Sequence, residues 1–223
     1  MLRLTRYGRR EWALASVVLA AATGLALWRF RPLALLPAAL WAWVLWFFRD
    51  PVRPSPDQPG LLLSPADGRV SDITPLGPDS PLQTDGLRVG IFMSVFDVHV
   101  NRSPCRAAVE SVVHRKGTFL DARDALARER NESATIRLRW AAPGGPAAVV
   151  VRQVAGLLAR RIVTDLAVGQ ELSAGQRIGM IKFGSRVELL APVDIVGQVC
   201  VQVGQKVRAG QTVLMTARGV AYP

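Results

Sequence analysis

The sequence predicts a mainly β (α+β) fold behind an N-terminal transmembrane helical hairpin, with one or two short helices in the β-rich part. Three observations carry this expectation. Two apolar runs occupy most of the first 48 residues, short β-type runs punctuated by Gly, Pro and Asp fill the rest, and an eleven-residue pattern near the C-terminus recurs 35 residues on.

The first apolar run, Trp12–Trp28, is almost unbroken. A bilayer span takes about 20 apolar residues with a lower limit near 17, so this run qualifies and the second, Leu33–Phe48, is borderline. The second run ends in Trp41, Trp43, Trp46, Phe47 and Phe48, a composition suited to the membrane–water interface. A cleaved leader is the competing reading. Against it, no small-residue cleavage site precedes the second run, which follows directly after Arg29, Phe30, Arg31 and Pro32. Arg3, Arg6, Arg9 and Arg10 precede the pair, and Arg49 and Arg53 follow it, against Arg29 and Arg31 in the connection. The positive-inside rule then places both ends and the body of the protein on the cytoplasmic side of the cell (inner) membrane.

The formal net charge is +11, mostly from arginine. No nucleic-acid motif accompanies it, and beside a membrane hairpin an anionic lipid surface is the expected partner. Cys105 and Cys200 lack metal-ligand spacing and are expected to be reduced, packed residues; no metal is expected.

Residues 1–48 thus form the membrane hairpin and 49–60, rich in proline, a stiff linker. Residues 61–223 form the β domain. Its expected strands are Leu61–Leu63, Gly68–Ile73, Leu87–Phe92, Ala107–His114, Ala134–Trp140 and Ala147–Val154, then Arg177–Phe183 and Arg186–Leu190 around a tight connection in a sheet. Leu120–Arg130 is the one helical candidate. The repeat pairs Val168–Ile178 with Val203–Val213, each copy reading as strand, Gly turn, short polar strand, Gly turn, strand. Two such units packed face to face resemble the barrel-sandwich of biotinyl and lipoyl carrier domains; a purely structural sandwich fits the pattern equally well.

Chemistry concentrates at Gly184-Ser185. Glycine accepts backbone angles closed to other residues, and a serine hydroxyl beside a strained carbonyl is a nucleophile against its own backbone. Read blandly, it is a turn. Four clusters accompany it. Ser64-Pro65-Ala66-Asp67-Gly68 puts an acid in a turn, where an aspartate commonly serves its own backbone. Phe96-Asp97-Val98-His99-Val100-Asn101-Arg102-Ser103-Pro104 holds one of two histidines, the side chain that titrates unperturbed near neutrality. Lys116-Gly117-Thr118-Phe119, leading to Asn131-Glu132-Ser133, reads blandly as a helix start capped by Thr118 or Asp121. Arg160 and Arg161 begin a strand as a solvated edge or an anion site.

These four clusters, in this order and followed by Gly-Met-Ile-Lys-Phe-Gly-Ser-Arg-Val-Glu-Leu, resemble the phosphatidylserine decarboxylase family in its short membrane-hairpin form, over about Phe47 to Leu214. The resemblance implies self-processing between Gly184 and Ser185 into a β chain, 1–184, and an α chain, 185–223. Ser185 would attack the preceding carbonyl, and β-elimination and hydrolysis would leave it as a pyruvoyl group, the covalent cofactor. That carbonyl would form a Schiff base with the substrate amine and delocalise the electrons left by decarboxylation. His99 would protonate the carbon, and Asp67 would be the base for self-cleavage. Arg160, Arg161 or Arg186 would hold the lipid phosphate. The substrate would be an anionic phospholipid, phosphatidylserine or a related serine lipid; the cleaved chains would stay together as a β/α heterodimer, with a higher dimer of such pairs as a further expectation.

Two departures stand out. Arg102 replaces a second histidine of longer relatives, and Ser133 replaces an arginine. His114 lies outside the motifs and reads as structural. Met180-Ile181-Lys182 only loosely matches a carrier-domain lysine and leaves the following Gly-Ser unexplained. A membrane-tethered, non-catalytic barrel-sandwich adaptor is the alternative; it explains the hairpin and the repeat but not Ser185 or His99.

Overall fold

A computed structural model describes residues 3–121, 124, 126–157, 161–182 and 184–222. The chain divides into two compact units, Met1–Val52 and Arg53–Pro223.

In the first unit α1 (Arg9–Arg29) forms on the first apolar run, and α2 (Leu35–Phe47) follows a 3-10 turn over Arg31–Ala34. Arg6–Arg29 is the one helix, among the described residues, long and apolar enough to cross a membrane. At 1.5 Å per residue α1 extends about 32 Å, close to the thickness of a hydrocarbon core. None of its residues is buried, and Leu14, Val17, Leu25 and Trp28 are more than half exposed, a surface suited to lipid. The second run yields less than a span. The 3-10 turn takes Leu33 and Ala34 and Phe48 leaves the helix, so α2 has 13 residues. The Trp41 indole N–H donates to Ser16 Oγ at 3.0 Å. Beyond the helices, Thr5 N–H donates to Phe48 O (2.9 Å) and Asp50 N–H to Arg3 O (2.7 Å).

The second unit is built of antiparallel strands: β1 (Leu61–Leu63), β2 (Gly68–Leu76), β3 (Gly86–Met93), β4 (Val100–Arg102), β5 (Ala107–Arg115), β6 (Ser133–Ala142), β7 (Gly145–Val154), β8 (Ile162–Thr164), β9 (Glu171–Leu172), β10 (Arg177–Ile181), β11 (Ser185–Pro192), β12 (Val196–Val199), β13 (Lys206–Val207) and β14 (Val213–Ala217). An eight-stranded sheet runs β13-β2-β3-β11-β7-β6-β5-β9, and two three-stranded sheets run β1-β14-β12 and β4-β10-β8. Alternation sets the faces. Val89, Ile91 and Met93 of β3, Ile136, Leu138 and Trp140 of β6, Val149 and Val151 of β7, and Val187, Leu189 and Ala191 of β11 enter one apolar core. The opposite face is charged near one end, where Asp72, Arg88, Arg152, Arg186 and Glu188 interlock.

The repeat has a structural counterpart. Gly169 and Gly204 have φ of 82° and 87°, and Gly175 and Gly210 have 72° and 69°, left-handed angles at matching positions. The copies do not pair with each other. β9 pairs with β5 and β13 with β2, forming the two edges of the large sheet. Gly169 N–H donates to Val109 O as Gly204 N–H does to Val70 O, both at 2.8 Å. The partner segments repeat as well. Ser64 Oγ donates to Ala66 O and Ser103 Oγ to Cys105 O, both at 2.7 Å, while Leu63 N–H donates to Pro104 O and Arg102 N–H to Pro65 O. A Cβ on Gly175 would sit 3.7 Å from Gly210 Cα, so the two turns at the sheet edges meet. The sheet is curled.

The helix expected over Leu120–Arg130 shrinks to α3, Ala127–Arg130; Ala122, Arg123 and Ala125 lie outside the described residues. Side chains compete with the helix at its start. Asn131 Oδ1 accepts from Leu120 N–H and its Nδ2 donates to Leu120 O, both at 2.8 Å, and Asp124 Oδ1 accepts from Leu126 N–H. Thr118, one of the two residues offered as a helix cap, instead forms a bridge to Asn131.

Candidate active site

Gly184-Ser185 joins two sheets. β10 lies between β4 and β8, whereas β11 lies between β3 and β7, so the connection expected inside one sheet crosses from the small sheet to the large one. Lys182 N–H donates to Arg161 O at 3.3 Å, and three residues further on Ser185 stands opposite Met93. Gly184 makes the crossing at φ 53°, a conformation costing other residues about 1–2 kcal/mol. A Cβ there would meet nothing within 4 Å, so the backbone angle, not crowding, calls for glycine. Phe183 lies outside the described residues.

Ser185 takes the core-facing slot that precedes Val187, Leu189 and Ala191, and it is fully buried. Its Oγ lies 3.5 Å from Met93 Sδ. A thioether is a weak acceptor, so this contact leaves the hydroxyl's nucleophilic lone pairs available.

His99 approaches from the other side of the seam. It is fully buried just ahead of β4, and Ile181 N–H donates to its carbonyl at 3.4 Å. His99 Nδ1 lies 2.9 Å from Asp97 O. A carbonyl only accepts, so Nδ1 carries the proton and Nε2 is the basic nitrogen in neutral imidazole. Asp97 is held in turn, its Oδ2 accepting from Ser94 N–H (2.9 Å) and Ser94 Oγ (2.8 Å).

Asp67 is engaged elsewhere. Arg53 Nη2 donates to its Oδ2 at 2.7 Å, Arg53 Nη1 to its Oδ1, and Ala209 N–H to Oδ1 at 2.8 Å. In this arrangement the Asp67 carboxylate faces the segment 53–60 and the second repeat, not Ser185.

The three arginines separate. Arg160 lies outside the described residues. Arg161 is exposed beside the seam, its carbonyl receiving Lys182 N–H. Arg186 follows Ser185 and therefore points from the opposite face, where it donates to Glu188 Oε1 at 2.8 Å and pairs with Asp72 at 2.5 Å. Burial lowers the Arg186 pKa, but Glu188 and Asp72 outweigh it and leave the guanidinium above its ordinary value. Burial likewise raises Asp72, yet Arg186 and Arg88 hold its carboxyl below the usual range. For Arg152 burial leads and the neighbouring Arg115, Arg88 and Arg186 add to it, so its pKa falls despite Glu188.

Arg102 is buried and donates from Nη1 to Gly175 O at 3.0 Å. Lys182 is 5 % exposed. A lysine loaded by a carrier-modifying enzyme needs to project from a hairpin, so the carrier-domain reading loses its residue. His114 is exposed on β5. Cys105 is buried and free, its thiol pushed up by burial, and Cys200 is free and half-buried.

Sequence reading gave no role to a chain of polar groups behind Ser185, in which Asn101 and Gln153 are fully buried and Thr164 half-buried. Asn101 Nδ2 lies 3.8 Å from Met93 Sδ, Gln153 Nε2 donates to Asn101 Oδ1 at 2.7 Å, and Thr164 Oγ1 donates to Gln153 Oε1 at 3.1 Å. The signal was present: Gln153 interrupts the inward series Val149, Val151, Ala155. Asn131, also fully buried, ties Leu120 to Ala155 through Nδ2 bonds of 2.8 Å to both carbonyls.

No group of three or more His, Cys, Asp or Glu side chains placed to hold a metal occurs among the described residues. A phosphatidylserine decarboxylase family model matches residues 40–215. Over 206 residues the chain is 45 % identical to a phosphatidylserine decarboxylase proenzyme of Symbiobacterium thermophilum, covering 92 % of this chain and 93 % of that one. It is 42 % identical to a proenzyme of the same name from Nitrobacter winogradskyi, covering 91 % and 78 %.

Proposed function

The chain belongs to the phosphatidylserine decarboxylase family, and we propose that it cuts itself between Gly184 and Ser185 and then converts phosphatidylserine to phosphatidylethanolamine and CO2. The observation that carries the reading is the seam: a left-handed glycine followed by a buried serine, with His99 flanking the connection from the adjacent sheet.

In the first step Ser185 Oγ bonds to the Gly184 carbonyl carbon as the peptide C–N bond breaks, giving an ester. Loss of the Ser185 Cα proton expels the Gly184 carboxylate and cuts the chain. Water then replaces the exposed amine as ammonia, leaving a pyruvoyl group at the head of the α chain, 185–223. We assign Asp67 as the proton acceptor, a role that requires its carboxylate to leave Arg53. The residues fit the cofactor: Ser185 is water-excluded, and Gly184 leaves open space beside the bond to be cut. The pyruvoyl carbonyl supplies an electron sink for the pair left behind by CO2. His99, its Nδ1 held by Asp97 O, delivers a proton from Nε2 to the substrate carbon.

Arg161 is the arginine we assign to the lipid phosphate, since it lies beside the seam while Arg186 is held by carboxylates on the far face. The α1 and α2 pair we read as a membrane hairpin (residues 1–48) with both ends cytoplasmic, 49–60 as the connection, and 61–223 as the catalytic domain with a barrel-sandwich at its repeat. The matched left-handed glycines and their matched partners support that last reading. The adaptor reading gives no account of the seam.

Intact-mass analysis of the purified chain, with lipid extraction after incubation with phosphatidylserine, tests the proposal. Two fragments divided at 184/185, a blocked α-chain N-terminus and accumulation of phosphatidylethanolamine are expected. A single uncut chain that leaves the lipid unchanged overturns it.

A further inference from the structure

We propose that Gln153 is a positioning residue that holds the His99 sheet against Ser185 once the chain between them is cut. The inference rests on the decarboxylase reading above. Ser185 leaves with β11, which is seated in the large sheet; His99 stays with β4, in the small one. Before cleavage the covalent chain between β10 and β11 ties the two sheets at this point, in addition to the link from β3 to β4. Afterwards that tie is gone.

Gln153 lies where a replacement tie is needed. It is fully buried, it projects from β7 of the large sheet, and among the described residues its side chain bonds into the small sheet: Nε2 to Asn101 on β4 at 2.7 Å, Oε1 from Thr164 on β8 at 3.1 Å. Asn101 continues the link to Met93 Sδ, the sulfur that also meets Ser185 Oγ. His99 is two residues before Asn101, so the bridge anchors the strand that carries the acid. Stability does not call for these amides, because two apolar groups of similar shape would fill the space at little or no cost. Apolar contacts slide, whereas directed hydrogen bonds fix register. A displacement of about 1 Å at a reacting centre can cost about a hundredfold in rate.

The test uses the full chain in phosphatidylcholine vesicles containing phosphatidylserine. Gln153→Leu is expected to lower kcat per cleaved chain by about ten- to a hundredfold with KM held within about twofold, since Gln153 does not touch the lipid. Hydrogen exchange provides the second readout. In cleaved Gln153→Leu, residues 98–102 and 177–181 are expected to exchange faster than in the unsubstituted chain. In the uncleavable Ser185→Ala background the same substitution should change exchange little, because the chain still ties the seam.

The swap Asn101→Gln with Gln153→Asn moves one methylene across the bond and should recover kcat relative to either single change; it also serves if Gln153→Leu does not fold. Unaltered kcat in Gln153→Leu, equal exchange in both backgrounds, or a swap no better than its single variants would each overturn the inference. If instead the unsubstituted chain neither cuts itself nor makes phosphatidylethanolamine, it is the decarboxylase reading that fails.

Discussion

Arg53 grips both carboxylate oxygens of Asp67, and both side chains are about nine-tenths buried, at 9 % and 11 % exposure. Removing one partner of such a pair leaves an uncompensated charge, a loss of about 3 kcal/mol. The pair also restrains the carboxylate assigned to self-cleavage. Arg53→Met should therefore lower the urea midpoint yet cut itself at least as fast as the parent, whereas Asp67→Asn should slow cleavage at least about tenfold. Band intensities on a denaturing gel against time after synthesis report both. Cleavage of Asp67→Asn at the parent rate removes Asp67 from the mechanism.

Gly184 separates backbone strain from crowding. A Cβ there meets no atom within 4 Å, but φ is 53°. Gly184→Ala should therefore fold, with a penalty of about 1 kcal/mol from the left-handed angle alone. The strained peptide will relax toward ordinary angles and present its carbonyl less well to Ser185 Oγ, so cleavage should slow by about tenfold or more. A melting scan and the gel assay check the two parts. Ser185→Ala should remain one chain under the same conditions.

The β domain was legible because its chemistry is local. Gly, Pro and Asp punctuation around apolar alternation located β2, β3, β5, β6 and β7 to within a few residues. The 35-residue repeat located four left-handed glycines. What stayed hidden depends on distant partners. The repeat copies pair with β2 and β5, because Ser64-Pro65 and Ser103-Pro104 begin a second repeat too short to stand out. The Leu120–Arg130 pattern was helical by composition, but Asn131 binds Leu120 through its amide, and α3 starts only at Ala127. At the candidate site the motifs brought out Ser185 and His99, while nothing local reveals that Asp67 faces Arg53 or that Arg186 points away from Ser185.

His99 divides the two reactions. Its Nδ1 is turned to Asp97 O, so Nε2 is the group that can take up and return a proton. His99→Ala should yield cleaved chains, at least in part, with an α chain of the blocked mass, but turnover lower by about a hundredfold or more. The measurement is phosphatidylethanolamine formed per cleaved chain, so that slower cleavage does not count as lost chemistry. Normal turnover in cleaved His99→Ala would remove it from the decarboxylation step.

The charged face behind Ser185 predicts an acid limb in stability. Asp72 is raised by burial but held below its ordinary pKa by Arg186 and Arg88, so folding favours its charged form. A group depressed in the folded state contributes stability above its unfolded pKa, near 3.9, and loses it as pH falls through the lower folded value. Arg186 is raised, so its contribution is present throughout the working range and fades only in strong alkali. The urea midpoint should hold steady from neutrality to about pH 5 and then decline as Asp72 takes up its proton. Asp72→Asn should start lower at neutrality, because Arg186, 5 % exposed, loses one of its two close carboxylates among the described residues and keeps Glu188. It should also show a shallower decline below about pH 4, since one titrating carboxylate has been removed. The pH series run on both chains gives the difference directly. Parallel curves would remove Asp72 from the acid limb.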